Sequence, residues 1–234
     1  MRAMGKLADA QELSNQVVAG LRGIASRQNS TPADRQSLLK SLYNSSLLSL
    51  MVRDFATASQ TLEEAAEIAD NLAKVFPAVE AHIRDPALMR GALAVAYLEL
   101  GEIEQTLENF RLNVQGFERV VEILPDSVEN LIDAELAKLN YGAALGNHAK
   151  DFLAAEKMIE SAQQLLQQVL DRNSASFNAR MGAVNCEINL AAFAADLEEW
   201  DLAVEHSQRG LELTYSGHFS ETWGNSECWR NQFG

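Results

Sequence analysis

The stretch Leu93–Phe110, LAVAYLELGEIEQTLENF, carries a pattern that returns three more times along the chain. A small residue precedes a large apolar one by nine positions, an acid stands directly before the apolar residue, and another small residue follows three positions later. Ser46, Asp54, Phe55 and Ala58 make the first copy, and Ala94, Glu102, Ile103 and Thr106 the second. Ala143, Asp151, Phe152 and Ala155 make the third, and Ala191, Glu199, Trp200 and Ala203 the fourth. The apolar anchors Phe55, Ile103, Phe152 and Trp200 lie 48, 49 and 48 residues apart. A period of this size signals stacked units.

Each copy reads as a helix, a tight turn and a second helix. The small residue of the first helix lets the second cross it closely, and the bulky residue after the turn fills the space beside the crossing. The preceding acid suits a helix N-terminus, where free N–H groups and the positive end of the dipole favour an anion. In the second copy Gly101 can take the left-handed conformation that ends a helix.

The run Leu93, Ala94, Ala96, Tyr97, Leu100, Gly101, Ile103, Leu107 and Phe110 resembles a tetratricopeptide (TPR) repeat. The resemblance spans roughly residues 35 to 215. Arg53, Lys150 and Glu198 stand in the other copies where Gly101 stands in the second. The standard unit is about 34 residues, so this one, about 14 longer, is similar to a long-helix variant found beside signalling modules. The resemblance implies an all-α chain: a right-handed alpha-solenoid of about four TPR-like hairpins that binds a peptide or protein partner along its concave wall.

Composition agrees with helix. The chain is 47% apolar, with only 4 Pro and 13 Gly in 234 residues, few enough for long uninterrupted helices. A net charge of −14 opposes nucleic acid and anionic membranes as partners. The sequence has no apolar run of membrane-spanning length, and MRAMGKLADAQEL lacks the apolar core of a signal peptide, so a cytoplasmic location is expected. Two cysteines, Cys186 and Cys228, are too few for a disulfide framework or a zinc site.

In chain order, residues 1–31 hold an N-terminal helix over 7–26, with Leu13, Val17, Leu21 and Ile24 as its buried stripe. Hairpins are expected over 32–84, 85–125, 126–174 and 175–215, with Arg84-Asp85-Pro86 opening the second. In the first hairpin Glu63, Glu64, Glu67 and Asp70 read as a solvated face. Residues 216–234 form an aromatic C-terminal tail. Five of the chain's sixteen aromatics fall at Tyr215, Phe219, Trp223, Trp229 and Phe233, which favours burial against the last hairpin or a partner. Self-association through this tail is one alternative, and a chain that is part of a larger signalling protein is another.

A search for chemistry returns no catalytic, cofactor or metal site. Phosphate-binding glycine loops, G-x-S-x-G and H-E-x-x-H are absent from the sequence. His82, His148, His206 and His218 are scattered, and the spacing of His206, His218 and Cys228 matches no metal-ligand pattern. Cys186, inside a helix, reads as a packing residue. The sequence therefore suggests a non-catalytic interaction scaffold rather than an enzyme. Spacing from the crossing residue places Tyr43, Leu47 and Leu50, then Val95 and Leu98, then Asn140, Asn147 and His148, then Asn185, Ile188 and Asn189 on the inner wall. The candidate partner-binding set is Tyr43, Leu47, Asn140, Asn147, Asn185 and Asn189, with Trp223 and Trp229 of the tail. A side-chain amide can pair with both the N–H and the C=O of an extended backbone. A sensor for a small peptide or metabolite and a structural subunit of a larger assembly are the alternative readings.

Overall fold

The computed structural model describes residues 2–215. Every regular element among them is helical: α1 (Arg2–Ala25), α2 (Pro32–Met51), α3 (Phe55–Val75), α4 (Glu80–Leu100), α5 (Ile103–Ile123), α6 (Val128–Ala144), α7 (Phe152–Arg172), α8 (Phe177–Asp196) and α9 (Trp200–Tyr215). One π-helical turn, Leu145–Ala149, follows α6. The chain divides into two compact units, Met1–Pro125 and Asp126–Gly234.

The four tight turns share one geometry although only one holds a glycine. Gly101 has φ +79°, and Arg53, Lys150 and Glu198 have φ values of 63°, 56° and 63°. The pattern of the chain overrides the residue's own preference, since a side chain in this region is strained. The strain persists because the turn closes hydrogen bonds. The N–H of Asp54, Glu102 and Glu199 each reaches the carbonyl five residues back, on Ser49, Tyr97 and Ala194, which satisfies the orphan carbonyls of the helix end. At the first and third turns the acid then caps the next helix, Asp54 Oδ1 accepting from Thr57 N at 3.2 Å and Asp151 Oδ1 from Ala154 N at 3.1 Å, whereas Glu102 at the second makes no side-chain cap bond.

The third copy departs by one residue, and the departure explains the one spacing of 49. Asp151 N–H reaches Leu145 O, six residues back, and the added residue is absorbed by the π turn. Every position upstream of that turn shifts by one. The residue at the α6–α7 crossing is therefore Gly142, not Ala143 as the spacing suggested. A Cβ on Gly142 would stand 3.0 Å from Ile159 Cγ1 and 3.1 Å from Ala155 O, whereas Ala143 is only half-buried. Ala191 is half-buried too, while Ser46 and Ala94 are fully enclosed.

In the first unit the core runs from Leu38, Leu39 and Leu42 of α2 through Leu62, Ala65, Ala66 and Ala69 of α3 to Met89, Leu93 and Ala96 of α4. The acids of α3 are not merely solvated. Glu64 accepts from Arg22 of α1 at 2.9 Å, Asp70 pairs with Arg90 of α4 at 2.7 Å, and Glu63 accepts from the Tyr97 hydroxyl.

α1 is turned from its expected orientation. Leu13 and Val17 are exposed and Val18 is buried. The cause is the face it meets, where α2 presents Ser45 and Ser49. Gln11 Nε2 donates to Ser49 Oγ at 3.1 Å and Ser45 Oγ to Asn15 Oδ1 at 3.3 Å, pairings that a Leu13–Val17 face would leave unmade. α4 also differs, starting at Glu80 rather than at Asp85 and carrying Pro86 in its second turn. Gln36 of α2, donating to Asp85 Oδ2 at 2.7 Å, and Phe76, tilted against His82 at 5.8 Å, hold the added turn in place.

Candidate functional site

The exposed faces of the first helices differ in character between the two units. On α2 Tyr43 and Leu50 are half-buried and Leu47 is exposed, and on α4 Val95 is exposed and Leu98 half-buried, giving the first unit an apolar surface. On α6 and its π turn Asn140 is half-buried while Asn147 and His148 are exposed. On α8 Asn185 and Ile188 are exposed and Asn189 is half-buried. Asn185 and Asn189 lie one helical turn apart, and Asn189 Nδ2 donates to the Asn185 carbonyl at 2.9 Å. That bond engages one of its two N–H groups and leaves its Oδ1 to accept. Asn140 and Asn147 stand two turns apart and share no hydrogen bond with one another. Trp223 and Trp229 lie outside the described residues, as do His218 and Cys228.

The interior of the second unit holds a set of polar side chains that the motif search passed over. Glu187 of α8, buried, accepts from Gln163 Nε2 of α7 at 3.0 Å and is joined to His206 Nδ1 of α9 at 2.8 Å. A carboxylate can only accept, so the hydrogen sits on Nδ1. His206 is thereby tied into the fold. Beside this chain, Glu135 of α6 is 4% exposed, and its Oε1 has no hydrogen-bond partner. The carboxyl fits against α8 only because residue 182 is glycine, whose Cβ would stand 2.9 Å from Glu135 Oε1. Burial pushes the Glu135 carboxyl up to about 7. Burial first, and then the nearby Glu135 and Glu187, push the Cys186 thiol up to about 12, so it stays protonated and unreactive at neutral pH. A signal for this cluster was present in the sequence. Leu131, Glu135, Lys138, Gly142 and Leu145 recur at helical spacing on the buried side of α6, and two of them carry charge. Among the described residues no three His, Cys, Asp or Glu side chains gather as metal ligands.

In the first unit a cleft of about 440 Å³ opens between α3, α4 and α5. Its wall includes Pro77, Ile83 and Pro86, and its charged lining residues are Asp70, Lys74 and Arg119.

No family model matches the chain, and no curated protein matches it. Solved structures do. BtubC (BKLC) from P. vanneervenii superposes with a TM-score of 0.50 at 15% identity, over 94% of each chain. The nearly identical TPR-like repeats named as those of a kinesin light chain from Podosopora anserina superpose with a TM-score of 0.55 at 17% identity, over 91% of this chain and 90% of that one. A single-substitution variant of the same repeats gives 0.52 at 17% identity, over 92% and 89%. At such identity the likeness is one of fold, and it makes this chain an all-α, TPR-like helical repeat protein.

Proposed function

We propose that the protein is a non-catalytic interaction scaffold that holds an extended peptide or protein segment on the exposed faces of its first helices. The observation that supports this most directly is the pair Asn185 and Asn189 on α8, one turn apart, with amide oxygens and N–H groups left for a backbone beside exposed Ile188. Within the same unit Asn140 and Asn147 offer the same chemistry on α6 and its π turn; the first unit, taken by itself, offers Tyr43 and Leu47 of α2 as apolar contact. Amide pairing to a main chain gives affinity with little demand on the ligand's side chains, while the apolar face selects them. Trp223 and Trp229 are part of the proposed set by sequence alone.

Selection of binders from a random peptide library on the purified chain tests this. Peptides recovered on the wild type are expected to lose about tenfold or more in affinity on an Asn185→Ala, Asn189→Ala variant. Peptides that bind both chains equally refute the assignment of these amides. The cleft lined by Asp70, Lys74 and Arg119 favours a second reading, a sensor for a small peptide or metabolite. A thermal shift with such a ligand, abolished in Arg119→Ala, would support it.

A further inference from the structure

The turn residue without a glycine does a second job at two of the four turns. Arg53 reaches forward to Glu99 in the last turn of α4 at 3.5 Å, and Lys150 to Asp196 in the last turn of α8 at 2.8 Å. Each partner lies 46 residues ahead. Each cation also sits over the aromatic two residues on, Arg53 at 5.3 Å from the Phe55 ring and Lys150 at 5.8 Å from Phe152. The anchor helix then presents a face to the same following helix. Phe152 packs on Phe193 of α8 at 5.8 Å, and Gln163 donates to Glu187 of α8. Within each unit, therefore, a turn cation and an apolar-led stripe together receive the next first helix, whose C-terminal turn carries an acid.

The fourth turn has the same backbone and the opposite charge. Glu198 adopts φ 63° where Arg53 and Lys150 stand, and it is exposed. Trp200 and Leu211 occupy the places of Phe152 and Gln163, 48 residues on. They are 63% and 55% exposed, and Val204 between them is 55% exposed. This is a receiving face with no helix on it among the described residues.

We propose that the edge formed by Glu198, Trp200, Val204 and Leu211 docks an amphipathic helix of a partner protein, one with an apolar stripe and a lysine or arginine in its last turn. The reversed sign follows from the slot: where Arg53 and Lys150 each hold a cation against an acid, this turn holds an acid and calls for a cation. A second copy fits less well, because the residue of its α2 in the matching place is Met51, which is uncharged. The proposal uses none of the amide residues of α6 and α8, and its variants leave them unchanged, so the two readings are tested independently.

The test uses two synthetic alanine-based helices, about 20 residues long like α8, with leucines along one face. One carries arginine in its last turn and the other glutamate. On the full chain the arginine peptide is expected to bind about fivefold tighter than the glutamate peptide, and Glu198→Lys to reverse that order. Trp200→Ala is expected to weaken both. Neither peptide binding, or an affinity blind to the sign of residue 198, overturns the proposal. So does a dimer in sedimentation that Trp200→Ala dissolves, which assigns the face to a second copy. Strong protection of Trp200 from hydroxyl radicals in the monomeric, peptide-free chain also overturns it, because the face is then covered by the chain itself.

Discussion

Replacing Glu135 with glutamine should flatten the protein's stability between pH 5 and pH 8. The carboxyl is buried on α6 against Gly182 with no partner for Oε1, and burial raises it from 4.5 to about 7. The folded chain thus keeps a proton that the unfolded chain releases near pH 4.5. Below that value the group is neutral in both states and costs nothing. As pH rises from 4.5 to 7 the unfolded state is progressively favoured, by about 1.4 kcal/mol per pH unit. Above 7 the loss is complete, at about 3 kcal/mol. The titratable neighbours on α8 are Cys186, which stays protonated, and Glu187, held by Gln163 and His206. Lys138 lies one turn along α6. Glutamine keeps the shape and cannot ionise, so the variant should match the wild type near pH 4 and exceed it by about 3 kcal/mol at pH 8. Urea midpoints across that range measure the difference, and hydrogen exchange on α6 and α8 amides locates it. Parallel curves for the two chains would refute the reasoning.

Other outcomes follow from packing and backbone. Gly142→Ala should cost about 1 to 3 kcal/mol, since its Cβ would press on Ala155 O, whereas Ala143→Leu should cost less; equal losses in denaturant would return the crossing to Ala143. Gly146→Ala should be worse than either, because a Cβ there would stand 2.2 Å from the buried ring of Phe193, and calorimetry should show the larger drop. Glu198→Gly should raise stability by about 1 kcal/mol by relieving the left-handed backbone, while Arg53→Gly, which also gives up Glu99 and Phe55, should change it by less. His206→Ala should destabilise by about 3 kcal/mol by stripping buried Glu187 of a partner, and His206→Gln should restore part of that loss in the same melt.

Some of the proposed site was within reach of the sequence. The asparagines of α8 share a turn because a helix repeats every 3.6 residues, and that period is visible in the letters. Whether each amide is spent on its own backbone is not, and Asn189 proves to be half-committed. The buried charges of α6 do not stand out in the sequence because acid and lysine at helical spacing ordinarily mark a wet face, and only the glycine opposite makes room for Glu135.

The repeat, its helices and their turns are encoded locally. Period, capping acids and anchor residues act within a few residues of one another, so the sequence by itself determined an all-α helical repeat. Even the odd spacing of 49 was written in the letters, although only the fold shows it as a π turn. What needed the tertiary structure were the choices made between helices. α1 turns Gln11 and Asn15 inward because α2 offers serines, the α3 acids find Arg22, Tyr97 and Arg90, and Glu198 takes the backbone position where Arg53 and Lys150 hold cations. Each depends on which face meets which across 20 to 50 residues of chain, and a linear pattern holds no record of the surface on the other side.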